Sequence, residues 1–246
     1  MSDEWDFYPA LVDDQPASIF VDLGIAASAP ISSHGIMGYL RIHMRQPREN
    51  GLSSEAEFHA LVGLEDIVTE KISTSAGAIF VGRNTSSGNR DFYFYVTDAT
   101  LFETSVAAAM ASFPDYEFEV GSRPDLVWQT YFEFLYPSPK QRQCIENRRV
   151  CDSLEKHGDR IDRPRLIDHF AIFPHRSNCE AYVDFVGARG FAIREGHPSN
   201  DGKADWYVEF SRIDTPREID DVTLELFEGA KERGGYYDGW GCNVVT

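Results

Sequence analysis

Four cysteines in 246 residues (Cys144, Cys151, Cys179 and Cys242) are too sparse for a disulfide scaffold, and their spacings fit no zinc pattern. No stretch approaches the roughly 18 uninterrupted apolar residues that mark a membrane span. Basic residues are scarce: 23 Lys+Arg stand against 40 Asp+Glu, a formal net charge of −17. That balance excludes the basic surface needed for broad nucleic-acid binding. The opening MSDEWDFYPALVDDQ has neither the basic n-region nor the apolar stretch of an export signal, so a cytoplasmic location with reduced thiols is expected. What is present is enough for packed cores. Hydrophobic residues make up 42% and aromatics 13%, which excludes a disordered acidic tail.

The length suits two domains of about 100–150 residues, and the charge divides unevenly between two halves. Residues 1–136 hold 20 acids and 7 bases, a balance of −13, whereas residues 137–246 hold 20 acids and 16 bases, a balance of −4. Within the second half, 138–165 carries eight bases against five acids.

Helix starts are marked by Ser or Thr followed three residues later by Glu or Gln, the pattern of a capping box. Five starts are read from it: Ser54/Glu57, Thr100/Glu103, Ser138/Gln141, Ser177/Glu180 and Thr215/Glu218. Pro139 and Pro216 add the favoured first-turn proline. Alternating or β-branched runs predict strands at 19–23, 36–44, 78–82, 91–97 and 116–120, with a turn at 84–89. Phe92 and Phe94 take one face of their strand, Tyr93 and Tyr95 the other. The segment 126–136 is ambiguous between helix and strand. Tyr-Pro-Ser-Pro then breaks the pattern, which places a domain boundary near 137.

Beyond that break the order is a helix at 139–157, a strand at 165–173, a helix at 178–189, strands at 191–196 and 204–212 around a turn at 197–203, a helix at 216–233 and a strand at 236–245. Without the leading helix this is βαββαβ, the ferredoxin-like α+β arrangement: an antiparallel sheet with both helices on one face. The first half reads ββαββαβ, an α/β sandwich with an antiparallel sheet. The expected domains are therefore 1–137, acidic, and 138–246, with a leading basic helix.

The most distinctive string is Gly235-Tyr236-Tyr237-Asp238-Gly239-Trp240-Gly241-Cys242. Asp-Gly is a strong turn dipeptide, and Gly241 suits a bulge or a close backbone approach. One reading makes Tyr237, Asp238, Gly239, Trp240 and Gly241 a partner-binding patch at a sheet edge, since Trp and Tyr dominate binding hot spots. On that reading Trp240→Ala weakens binding without unfolding the chain. The other reading packs Trp240 under the last helix, with the glycines merely permitting the bend.

The Tyr-Asp-Gly-Trp-Gly run at the end of a βαββαβ order resembles the ribonuclease E inhibitor RraB family. The first half resembles domain-of-unknown-function family 695, through Trp5…Tyr8, Gly51-Leu52, Gly82-Arg83-Asn84-Thr85, Arg90-Asp91-Phe92, and Trp128-x-x-Tyr131 leading to Leu135-Tyr136-Pro137. The RraB resemblance implies a protein regulator without chemistry of its own, bound to the scaffold region of ribonuclease E. If acidity drives docking on an arginine-rich scaffold, the first half has to supply it.

No enzymatic constellation stands out. None of the seven histidines forms HExxH, and the one close pair, His169 and His175, flanks Pro174 at a strand end. Asp168 and His169 point to opposite sheet faces. Gly196…Gly202-Lys203 is one residue too long for a phosphate loop, with Ala204 in place of Ser/Thr. Glu65, Asp66 and Glu70 read as a solvated helix face, as do Asp220, Asp221, Glu225 and Glu228. The Phe92–Tyr95 aromatics lack neighbouring bases to meet phosphates. No metal, cofactor or direct nucleic-acid contact is expected. The expectation is a non-enzymatic regulator acting by protein contact on a ribonuclease E-type partner. The alternative is an enzyme or small-ligand binder with a cleft between the domains, and a homodimer through the aromatic edges stays open.

Overall fold

A computed structural model describes residues 2, 4–198 and 206–246, with the backbone alone at 195–198. Most of the turn expected at 197–203, including Gly202-Lys203, therefore lies outside the described residues. The chain divides into two compact units, Met1–Pro137 and Ser138–Thr246.

The first unit is a six-stranded antiparallel sheet in the order β1-β2-β4-β5-β3-β6. Its strands are β1 (Trp5–Val12), β2 (Gln15–Asp22), β3 (Ile36–His43), β4 (Ile79–Ser86), β5 (Asn89–Val96) and β6 (Phe118–Pro124). Helices α1 (Glu55–Ala76) and α2 (Ala99–Met110) supply the apolar cover. Leu40, Ile42, Phe92 and Phe94 pack there against Leu64, Val68 and Ile72 of α1 and Phe102 and Val106 of α2. Each fully buried side chain of this kind contributes about 1.5–3 kcal/mol of apolar transfer.

Strand β1 is absent from the sequence reading. It is an edge strand with only Tyr8 buried, so no clean alternation marks it, and an edge is where Pro9 is tolerated. The turn expected at 84–89 shrinks to Ser87-Gly88, whose positive φ angles of 50° and 79° make a two-residue hairpin. The ambiguous 126–136 segment is a π-helical turn, Thr130–Leu135. Asp125 holds its start, accepting from the Gln129 amide at 2.6 Å, the Thr130 amide at 2.9 Å and the Tyr95 hydroxyl at 2.7 Å. Trp128 stacks on Tyr95, ring centroids 3.9 Å apart at 6°.

The second unit orders its sheet β10-β7-β9-β8, all pairings antiparallel, from β7 (Arg165–Phe173), β8 (Ala192–Pro198), β9 (Trp206–Asp214) and β10 (Tyr236–Cys242). In its own chain order this is 4-1-3-2, the ferredoxin-like topology expected of βαββαβ. Helices α4 (Arg176–Gly187) and α5 (Ile219–Glu232) pack on one face over Ala171, Phe173, Val208 and Phe210. The leading helix α3 (Pro139–Lys156) lies beside α5 and reaches β10.

The caps separate into real and apparent ones. Ser138/Gln141 is a full reciprocal box. Ser54 caps α1, but Glu57 turns its carboxylate to the Arg45 and Gln46 amides instead. Asp98, not Thr100, caps α2; His175 rather than Ser177 stands at the α4 start; and Thr215 precedes a 3-10 turn, Pro216–Glu218, without a side-chain cap. At α2 and α4 a nearby residue occupies the start, so the three-residue spacing alone did not identify the cap there.

Candidate functional site

The signature string forms β10, an edge strand beside β7. Its register runs Tyr236 opposite Ile172, Tyr237 opposite Ala171, Gly239 opposite Phe170, Trp240 opposite His169 and Gly241 opposite Asp168. Asp238 is the extra residue of a bulge, and Gly239 takes φ 110° there. In a regular strand residues 237 and 240 point to opposite faces; the inserted residue returns both to the helix side. The bulge therefore sits at Asp238-Gly239, two residues before the Gly241 considered for it.

Both aromatic rings are interior. Trp240 is 8% exposed and Tyr237 6%, so the exposed-patch geometry does not exist in this fold, and Trp240→Ala becomes a core truncation. The Trp240 ring packs with Leu154, Ile161, Ile167 and Ile219. Its Nε1 donates to Asn147 Oδ1 at 2.9 Å. Asn147 in turn donates to Asp220 at 2.7 Å and Thr223 at 2.6 Å, and accepts from Gln143 at 2.9 Å. One buried amide thus ties α3, α5 and β10 together. Nothing in the sequence marked Asn147, because its partners on α5 and β10 are 73 to 93 positions away.

Tyr237 meets His169, with the hydroxyl and Nδ1 2.7 Å apart. The imidazole is fully buried, stacked on Phe210 and edge-on to Phe191. Burial, with Arg212 nearby, pushes its pKa down to about 3, so the ring is neutral. Cys179 is enclosed in the same core, while His175 is an exposed cap residue. Exposed His175 therefore does not join the buried His169 and Cys179 in one site. Among the described residues, no group of three His, Cys, Asp or Glu side chains could hold a metal ion. Burial also raises the thiols, Cys151 to about 11, which leaves them poor nucleophiles.

With Tyr237 and Trp240 turned inward, the glycines face the other way. A side chain at Gly239 or Gly241 would meet nothing within 4 Å. Across from them on β7, alternation puts Leu166, Asp168 and Phe170 on the face away from the helices. Leu166 is 53% exposed, Phe170 37% and Tyr236 53%. Arg194 of β8 spans this face, paired with Glu209 and lying 3.8 Å from Asp168. The accessible features of the signature are therefore Tyr236, Asp238 and the half-buried glycine backbone, with the apolar side chains of β7 beside them.

Residues 3–136 match the model of a family of unknown function, DUF695. The chain belongs to that family. Residues 144–242 match a second model, Regulator of ribonuclease activity B. No curated protein matches the chain. Similar solved structures include a putative glycine cleavage system transcriptional repressor, 8% identical with a TM-score of 0.25, covering 85% of this chain and 98% of that one. Another is an unknown protein from Galdieria sulphuraria, 12% identical with a TM-score of 0.22, covering 86% of this chain and 99% of that one. No helix among the described residues is long and apolar enough to cross a membrane.

Proposed function

We propose that this DUF695 protein is a non-enzymatic, cytoplasmic regulator that binds a ribonuclease E-type RNA-processing enzyme. The match of residues 144–242 to Regulator of ribonuclease activity B carries this reading. The docking surface is β10 with the open sheet face, where Gly239 and Gly241 admit a close backbone and Phe170 and Leu166 offer apolar anchors. Trp240, Tyr237 and Asp238 serve binding indirectly, by fixing the strand and its bulge. Unit 1, at −13, supplies the long-range field toward a basic segment of the partner, an effect that steers encounter and is screened by salt. No cofactor, metal or direct nucleic-acid contact takes part.

Capture of ribonuclease E by the full chain tests the reading. Wild type should retain the enzyme, less so at high ionic strength, and Phe170→Glu should reduce retention about tenfold at an unchanged melting temperature. Failure of wild type to retain it removes the partner. Retention by Phe170→Glu equal to wild type removes the surface, and sedimentation of wild type alone tells whether the face makes a homodimer.

A further inference from the structure

The acidic unit contains a concentrated basic cleft. On the helix side of its sheet, the cover supplied by α1 begins only at Glu55, leaving the ends of β2, β4 and β5 uncovered beneath the 48–54 loop. The space there is about 640 Å³, lined by Phe7, Phe20, Arg48, Phe58, Arg83 and Arg90 among others. That volume falls within the roughly 300–1,000 Å³ of small-molecule sites. Unit 1 has seven basic side chains, and three of them line this one cleft.

Glu65 of α1 was expected on a solvated face. Its carboxylate instead lies 2.7 Å from Arg83 and 3.3 Å from Arg90, with side-chain exposures of 13%, 16% and 1%. One carboxylate between two guanidiniums leaves positive charge uncompensated, and Arg48 adds to it at the rim. The acid on the cleft wall itself is Glu55, with Glu57 nearby held by the Arg45 and Gln46 amides.

Two donors are left over. Arg90 Nε and Thr85 Oγ1 are buried and have no hydrogen-bond partner among the described residues. Thr85 and Arg90 face each other across the β4–β5 pairing, and both line the cleft. Buried donors normally find partners, and a cationic one left unmet is costly. The low dielectric around Arg90 already brings its pKa down to about 10. The N-terminus of the 22-residue α1, at Ser53 and Ser54, adds the positive end of a helix dipole.

The rim is pinned rather than loose. Gly51 takes φ 78°, and a side chain there would sit 2.7 Å from the Ser87 amide. The Gly88 amide donates to Gly51 O at 2.9 Å, and the Arg48 amide to Leu52 O at 2.8 Å. The Gly51-Leu52, Arg83 to Thr85 and Arg90 motifs of the first half thus converge on one place.

We propose that this cleft binds a small organic oxyanion, a carboxylate or phosphate carried on an apolar body. The anion sits against Arg90, Thr85 and Arg48, and the apolar body lies on Phe7, Phe20 and Phe58. Arg83, 5.0 Å over the Phe20 ring, joins the two halves of the site.

Isothermal titration of the full chain with phenyl phosphate tests this, with phenylacetate and phenol as parallel arms. Phenyl phosphate or phenylacetate should bind one to one with a Kd of about 1 mM or tighter, and phenol should not. Whichever anion binds names the oxyanion class. Thr85→Val, which keeps shape and removes the hydroxyl, and the exposed Arg48→Gln should each weaken binding about tenfold without shifting the ligand-free melting temperature. Absence of saturable binding by both anions to about 10 mM overturns the proposal, as does unchanged affinity in both variants. Ribonuclease E capture is independent of these outcomes.

Discussion

The two units invert the relation between net charge and local chemistry. Unit 1 is strongly acidic, yet three of its seven bases converge on one semi-buried cleft. Unit 2 is nearly balanced, and many of its bases are spent on exposed pairs: Lys140 with Glu228, Arg149 with Glu146, Arg176 with Glu180, Arg189 with Glu225 and Arg217 with Glu155. Such pairs are each worth about 0–1 kcal/mol. In unit 1 one carboxylate serves two arginines out of water, where charge acts strongly. Net charge describes the field at a distance, and the depth and pairing of each base decide what a surface can hold.

The tryptophans sharpen the comparison most. Trp240 in unit 2 and Trp128 in unit 1 are both buried, and each Nε1 donates, to Asn147 Oδ1 at 2.9 Å and to His34 O at 2.8 Å. Either one changed to Ala should cost about 3–5 kcal/mol in urea denaturation, while Trp240→Phe should cost less because Asn147 Oδ1 keeps Gln143. An unchanged midpoint for Trp240→Ala would contradict the packed indole and restore the exposed patch.

How much of this was legible depends on whether the cause is local. The ferredoxin-like order could be read because β7, α4 and α5 each carry their own apolar period and turn chemistry. The inward turn of Trp240 was one of two readings the sequence left open, since it depends on a one-residue bulge that reverses the alternation after Tyr237. Only Asp238-Gly239 hinted at it. The exposed Leu166 and Phe170 were readable in principle, as apolar residues alternating with Ile167 and His169 on β7. The cleft was illegible because Glu65, Arg83 and Arg90 meet through packing of α1 on the sheet, and a helix-face carboxylate looks the same in sequence whether solvated or paired.

The next difference is in pH dependence. His169 titrates at about 3 in the fold, against about 6.5 when unfolded, so the unfolded chain binds the extra proton first. The stabilisation from its neutral form is complete above pH 6.5 and is lost as pH falls toward 3. Between pH 7 and 4.5 this amounts to about 2–3 kcal/mol. Asp159, held low by Arg165, loses its own contribution as pH falls below the ordinary carboxylate range. Comparing wild type with His169→Leu by denaturation at each pH isolates the histidine: the variant should show a flatter decline from pH 7 to 4.5, and an identical slope would refute a neutral buried ring.

The smallest effect separates the two glycines of the signature. An added side chain at either position meets open space, so packing contributes nothing to the contrast. Gly239 sits at φ 110° in the bulge, whereas Gly241 has no positive φ. Gly239→Ala should therefore cost about 1–2 kcal/mol through backbone strain alone. Gly241→Ala should stay within about 0.5 kcal/mol of wild type. Equal costs would mean that the bulge does not require glycine. Because Gly241→Ala leaves the fold untouched, any loss it causes in ribonuclease E capture reports a methyl group placed where a partner's backbone must approach.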